Sequence, residues 1–149
     1  MAVHDGDSYK LNAVDDAGNS TGMASFWVRQ IAIDAPEVIS NRIAANQPRG
    51  KEIGDSVRIL LKGKIVTYQN FGTDKYGRVL ARVHLGGHDV AEYMLRRGWA
   101  WYANTPGLSR KHRRAYQYDR DTAKKARYGL WSDENPIRPS VWRASNLRK

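Results

Sequence analysis

Ile53, Val57, Leu60 and Leu61 fall at i, i+4, i+7 and i+8, which puts an apolar stripe on one face of a helix over about Gly50 to Lys62, stopped by Gly63. This helix is set among segments of strand character, and that arrangement limits the fold more than any other feature. Val3 to Val14 reads as one strand, turned by Asp15-Asp16-Ala17-Gly18-Asn19. Met23 to Ile33 reads as a second, closed by Ala35-Pro36 because proline cannot continue a ladder. Residues 38–48 read as a polar loop. Lys64 to Asn70 and Arg78 to Leu85 read as strands joined through the Lys75–Gly77 turn, and Gly86-Gly87 makes another turn. Val90 to Arg97 is expected as a short helix ended by Gly98, Trp99 to Tyr102 as a brief extended piece, and Ser109 to Tyr128 as the last helix, capped by Gly129. Strands with one helix inserted among them, then two more helices, make an α+β chain, and a small closed barrel with appended helices would remove exposed sheet edges.

At 149 residues, 41% of them apolar and five of them tryptophan, the chain can bury a core and is most simply one domain. Residues 134–149 read as a tail, where Pro136, Pro139 and Trp142 suggest packing back on the body or a path leading out of it. Lys and Arg outnumber Asp and Glu by 25 to 15, a net charge of +10. Such an excess favours a polyanionic partner, nucleic acid ahead of an anionic membrane surface. A membrane-surface role lacks an amphipathic helix with a strong apolar face and basic rim, and a monomer is expected. Without cysteine, neither a disulfide nor a zinc-thiolate site can form. No apolar run approaches the ~20 residues of a membrane span. Asp5, Asp7 and Lys10 stand where the apolar part of a signal peptide would lie. The abrupt start upstream of Asp5 favours a targeting segment already removed, hence a secreted or periplasmic protein, over a cytoplasmic one.

Three groups of residues carry chemistry. Asp5-Gly6-Asp7 lies at a strand entry, and Asp34-Ala35-Pro36-Glu37 at a strand exit. Each alone is explained by a turn or a strand terminator. Brought together they differ, because two carboxylates ~5 Å apart repel by roughly 3 kcal/mol at an effective dielectric of 20. Such a cluster needs a cation between the charges or proton uptake. A hard, oxygen-preferring dication, Ca²⁺ or Mg²⁺, suits acids without Cys or His partners. Arg29 sits inside the apolar run Phe26, Trp27, Val28, Ile31, Ile33, where burial without an anion would be unfavourable. Arg78 follows Lys75-Tyr76-Gly77 on a tight turn. Guanidinium forks stabilise the charge that builds on phosphate oxygens during phosphodiester cleavage, which a lysine does less well. Arg29 and Asp34, five apart, face opposite ways in a regular strand, so a bend or bulge before Asp34 is required if both address one site.

Asp5-Gly6-Asp7-Ser8, Arg29 with Asp34-Ala35-Pro36-Glu37, and Thr73-Asp74-Lys75-Tyr76-Gly77-Arg78, followed by Ala123-Lys124-Lys125 and Gly129-Leu130-Trp131, together resemble the staphylococcal nuclease (thermonuclease-like) family. The likeness spans about residues 3–133, making residues 1–133 a staphylococcal-nuclease-like domain. It implies a five-stranded Greek-key β-barrel of the OB type with three α-helices. It also implies a calcium-dependent nuclease that cuts DNA and RNA without sequence preference, leaving 3′-phosphate ends. By position, Asp7 and Asp34 would ligate Ca²⁺ with the backbone carbonyl of Ala35, and Glu37 would orient or deprotonate the attacking water. Arg29 and Arg78 would grip the phosphate, and Lys75 and Tyr76 would contact a bound nucleotide. Tyr102, displaced by one residue from the family's pattern, is the counterpart of a pocket-lining tyrosine. A carboxylate usual in the family's last helix is replaced by Arg120. The alternative is a catalytically weak or inactive nucleic-acid-binding module on the same scaffold.

Overall fold

The computed structural model describes residues 2–39 and 45–146. Residues 40–44 of the expected polar loop, and Met1 and residues 147–149 at the ends, lie outside the described residues. The first strand expected from sequence is in fact a hairpin: β1 (Ala2–Asp5) and β2 (Ser8–Leu11) pair antiparallel, with Asp5 opposite Ser8. Gly6 and Asp7 form its turn, so Asp5-Gly6-Asp7 is the reversal itself rather than an entry to a longer strand. β3 (Phe26–Gln30) pairs antiparallel with β2, placing Arg29 opposite Ser8.

Beyond β3 the chain breaks at Ala32, which has φ 68°, and resumes as β4 (Ile33–Asp34). Helix α1 (Gly50–Leu61) follows. Ile53, Val57 and Leu61 of its expected stripe are buried and Leu60 is half-buried, as the 3.6-residue period requires. β5 (Val66–Thr73) and β6 (Val79–Leu85) form an antiparallel hairpin through the Asp74–Gly77 turn, and β6 also pairs parallel with β3, Arg29 opposite Leu80. β7 (His88–Asp89) returns on β6 and leads into α2 (Val90–Arg96). β8 (Trp101–Tyr102) pairs with β4, setting Trp101 opposite Asp34 and Tyr102 opposite Ile33. α3 (Arg110–Lys125), a 3-10 turn over Gly129–Ser132, and α4 (Pro139–Asn146) complete the chain.

The α+β class is as expected, but two features of the anticipated barrel are not. The main sheet has six strands and is open: its order is β1-β2-β3-β6-β5 with β7 beside β6, and β4–β8 form a separate pair. Among the described residues β5 does not return to β1, because β1 is a four-residue strand with a bulge and α1 packs against it instead. Among the described residues the α-helices number four rather than three, since the segment read as a tail holds α4. Pro139 stands at its first turn, where the missing N–H removes no bond.

Tyr9, Val28, Ile33, Val83, Met94 and Leu95 are fully enclosed between the sheet and the helices. The buried Tyr9 hydroxyl donates to Gln30 Oε1 at 2.8 Å, so the polar groups there are partnered. The turn after β1 and the Glu37 backbone lie against α1.

Candidate active site

The hairpin turn is pressed onto the end of β4. A Cβ built on Gly6 would lie 2.7 Å from the Cβ of Ala35 and 3.0 Å from Ile53 Cγ2, so only glycine allows this approach. The contact brings Asp7, which is 1% exposed, against the Asp34-Ala35 segment. Asp7 Oδ2 accepts the Ala35 N–H at 2.6 Å, its Oδ1 accepts from Ser8 Oγ at 3.2 Å, and its carbonyl accepts the Gln30 N–H at 2.8 Å. Asp5 is buried beside it and takes the Asp7 N–H on Oδ1 at 3.2 Å. Burial pushes the Asp5 carboxyl above its usual range, against the opposing charges of His4 and Arg29.

Arg29 joins the two acidic segments. Its Nη1 is ion-paired with Asp7 Oδ1, and its Nη2 donates to Asp34 Oδ1 at 3.0 Å. The break at Ala32 makes this possible, turning Asp34 to the side on which Arg29 lies. Arg78 arrives from the foot of β6. Asp74 Oδ1 accepts the N–H groups of Tyr76 and Arg78, closing the turn, and Asp74 Oδ2 accepts Arg78 Nε at 2.8 Å. Arg78 Nη1 then donates to Ser8 Oγ at 2.9 Å. Ser8 thus links the two arginines indirectly, bonded to Arg78 on one side and to the Asp7 carboxylate that pairs with Arg29 on the other. A cavity of about 270 Å³ opens there, lined by His4, Ser8, Trp27, Tyr76 and Arg78. Tyr76 is 73% exposed, with Lys75 Nζ 5.0 Å and the Arg78 guanidinium 5.6 Å from its ring.

Glu37 is held by its backbone, its N–H donating to Gln47 Oε1 at 3.1 Å and its carbonyl accepting the Gln47 N–H at 3.1 Å. Burial raises the Glu37 carboxyl above the ordinary glutamate range, opposed by Arg143 and reinforced by Asp5 and Asp34. Arg143 on α4 is the residue sequence reasoning missed. It bonds both Asp34 oxygens, at 3.1 and 3.2 Å, and is ion-paired with Glu37 Oε1. No local pattern could have found it, since it lies 109 residues from Asp34 and 106 from Glu37.

The structure therefore gathers Asp7, Arg29, Asp34, Ala35 and Glu37 in one cluster, with Arg78 joined through Ser8 and with Lys75 and Tyr76 at the rim. Tyr102 stands apart. Its hydroxyl lies 3.3 Å from Asn104 Oδ1, the Arg120 guanidinium sits 5.7 Å from its ring, and Tyr116 packs beside it. It faces α3, and Trp101 is the β8 residue opposite Asp34.

The profile of the staphylococcal nuclease homologue family matches residues 27–133. The chain belongs to this family. An Escherichia coli protein described as an uncharacterized endonuclease is 36% identical over 121 residues, 78% of this chain and 69% of that protein. A staphylococcal-like nuclease of Arabidopsis thaliana is 30% identical over 118 residues, 79% of this chain and 33% of that protein. A 38.1 kDa protein of Capnoides sempervirens is 32% identical over 122 residues, 79% of this chain and 32% of that protein. The chain thus spans about a third of the plant relatives. Arg29, Asp34, Glu37 and Arg78 fall within the family-matched region, whereas Asp7 precedes it and Arg143 follows it.

The donors available to a metal are carboxylate oxygens, a set that suits a hard dication. Among the described residues no three Asp, Glu, His or Cys side chains are arranged around a single metal position. Arg29 lies between Asp7 and Asp34, and Arg143 between Asp34 and Glu37. The residues fit a dication by chemistry, with guanidinium groups neutralising them in this arrangement.

Proposed function

We propose that this protein is a calcium-dependent nuclease, acting as a monomer, that hydrolyses phosphodiester bonds of DNA and RNA without sequence preference and leaves 3′-phosphate ends. The observation that carries this reading is the chain of contacts that joins Arg78 through Ser8 and Asp7 to Arg29, beside the acids Asp34 and Glu37. Two guanidinium groups linked in this way suit a tetrahedral phosphate, whose non-bridging oxygens gain charge as the nucleophile attacks. Arg29 uses Nη1 and Nη2 on Asp7 and Asp34, and its five-donor fork has further N–H bonds for a phosphate oxygen. Asp7 and Asp34, with the Ala35 carbonyl, would hold the dication, which supplies charge neutralisation to the attacked phosphate when bound.

Glu37 is the general base. It takes a proton from the water whose oxygen forms the new bond to phosphorus, and the bond from phosphorus to the 5′ oxygen breaks. The departing oxygen gains a proton to leave a 5′-hydroxyl, and the phosphate stays on the 3′ side. Lys75 and the exposed Tyr76 are suited to the neighbouring phosphate and sugar. Contacts of this kind carry no base-edge readout, which supports cutting without sequence preference.

The test is incubation of single- and double-stranded DNA and of RNA with the protein and Ca²⁺. Cleavage that stops on chelation and returns with calcium is expected, and Arg29→Ala and Glu37→Gln should each lower the rate by about 100-fold or more. Near-wild-type rates in either folded variant would sink the mechanism. Retarded but intact nucleic acid would favour the binding-module alternative.

A further inference from the structure

Glu37 is desolvated and stands near two other acids, Asp5 and Asp34, whose charges oppose its ionisation. Among the described residues Arg143 is the one cation paired with it. Asp34 Oδ1 accepts from both Arg29 Nη2 and Arg143 Nη1. The side chains therefore form an unbroken line of alternating charge, Asp7, Arg29, Asp34, Arg143, Glu37. One guanidinium spans Asp34 and Glu37 and fixes their relative placement, a task that suits a planar two-pronged donor.

The segment carrying Arg143 is fastened to the site at several points. Gln47, whose Oε1 receives the Glu37 N–H, donates through Nε2 to the Ile137 carbonyl at 2.7 Å. Gln47 thus sets both the Glu37 backbone and the approach to α4. The Arg138 guanidinium lies 4.8 Å from the ring of Trp101, the residue opposite Asp34, and Trp142 is buried. Arg49 ties the preceding turn down through the Gly129 carbonyl, Ser132 and Asp133. These attachments make α4 a fixed wall of the site rather than a detachable plug.

We propose that Arg143 is a positioning residue for phosphodiester cleavage, holding the Glu37 and Asp34 carboxylates together so that Glu37 faces the attacking water. The inference rests on the nuclease reading above and extends the working unit to α4, past residue 133 where the family match ends.

The experiment compares wild type, Arg143→Gln and Arg143→Lys by steady-state cleavage of a single-stranded oligonucleotide, thermal unfolding, and calcium titration by calorimetry. Arg143→Gln is expected to lower kcat by about 10- to 100-fold while KM moves by less than about 3-fold and the protein stays folded. Arg143→Lys should recover part of kcat, because an ammonium restores the charge but not the two-point grip. A wild-type kcat in Arg143→Gln would overturn the proposal. So would a faster enzyme with tighter calcium binding, which would make Arg143 a plug, or an effect confined to KM, which would make it a substrate contact. Unfolding of both variants would show a structural residue and also overturn it. Wild type that fails to cut with calcium would defeat the nuclease reading and this role with it, an outcome distinct from an active wild type matched by its variants.

Discussion

At the scale of single residues, the site depends on a few positions where chain geometry and charge coincide. Gly6 lets the hairpin turn lie against Ala35, and an added methyl would be forced into Ala35 Cβ and Ile53 Cγ2. Gly6→Ala is therefore expected to lower stability by about 1–3 kcal/mol, read by urea denaturation, the range for overpacking a close contact. It should also reduce cleavage, because displacing the turn moves Asp7 from the Ala35 N–H. A stability change within about 0.5 kcal/mol, the range of neutral surface changes, would show that the turn can relax. The left-handed Ala32 has a similar standing. A bend before Asp34 is required by the sequence if Arg29 and Asp34 are to address one site, but no residue type announces it, since alanine carries no preference for positive φ.

Among the elements, the junction of β7, α2 and α3 is the clearest structural network. Asp89 caps α2 by accepting the Ala91 and Glu92 N–H groups on Oδ1, while Oδ2 accepts from the Tyr116 hydroxyl at 2.7 Å and Arg82 Nε at 2.6 Å. Asp89→Ala removes the cap and leaves Arg82 without its buried partner, so a loss of about 3 kcal/mol in chemical denaturation is expected. His112 faces the same Arg82, its Nε2 2.9 Å from Nη1. Burial, then the Arg82 charge, hold the imidazole below its ordinary value of 6.5, with Asp89 opposing. The unfolded chain therefore takes up a proton on His112 before the folded one does. The stability this group contributes is present above pH 6.5 and is lost as pH falls through the depressed folded value. Thermal midpoints measured from about pH 7 to 5 should decline less steeply in His112→Gln than in wild type. Equal slopes would show that the imidazole titrates freely. α4 is the element least visible from sequence, because eight residues starting at a proline show little periodicity, and its helix depends on Trp142 finding cover.

For the whole molecule, the net charge of +10 governs encounter with a polyanion. Arg110, Lys111, Arg113 and Arg114 are exposed on α3 and add to the positive surface. If about four single-strand phosphates are contacted, the logarithm of binding affinity for an oligonucleotide should fall with the logarithm of salt at a slope near −3. A slope near zero would mean that charge does not drive binding. The α+β class, most element positions and the grouping of residues 5–7, 29–37 and 73–78 were legible in the sequence, because periodicity, turn residues and motif order are local properties. The expected closed barrel gave way to an open sheet because β1 is short and α1 covers it, a matter of how distant elements pack. Tyr102 turned to α3 for the same reason, since the register of β8 against β4 decides which side chain stands opposite Asp34. The sequence by itself determined which charges this protein carries and in what order. Only the tertiary structure decided which carboxylate meets which guanidinium, and so brought Arg143 to Asp34 and Glu37 across more than a hundred residues. Partner choice between charged groups depends on distance in space and on exclusion of water, neither of which is written in any local stretch of chain.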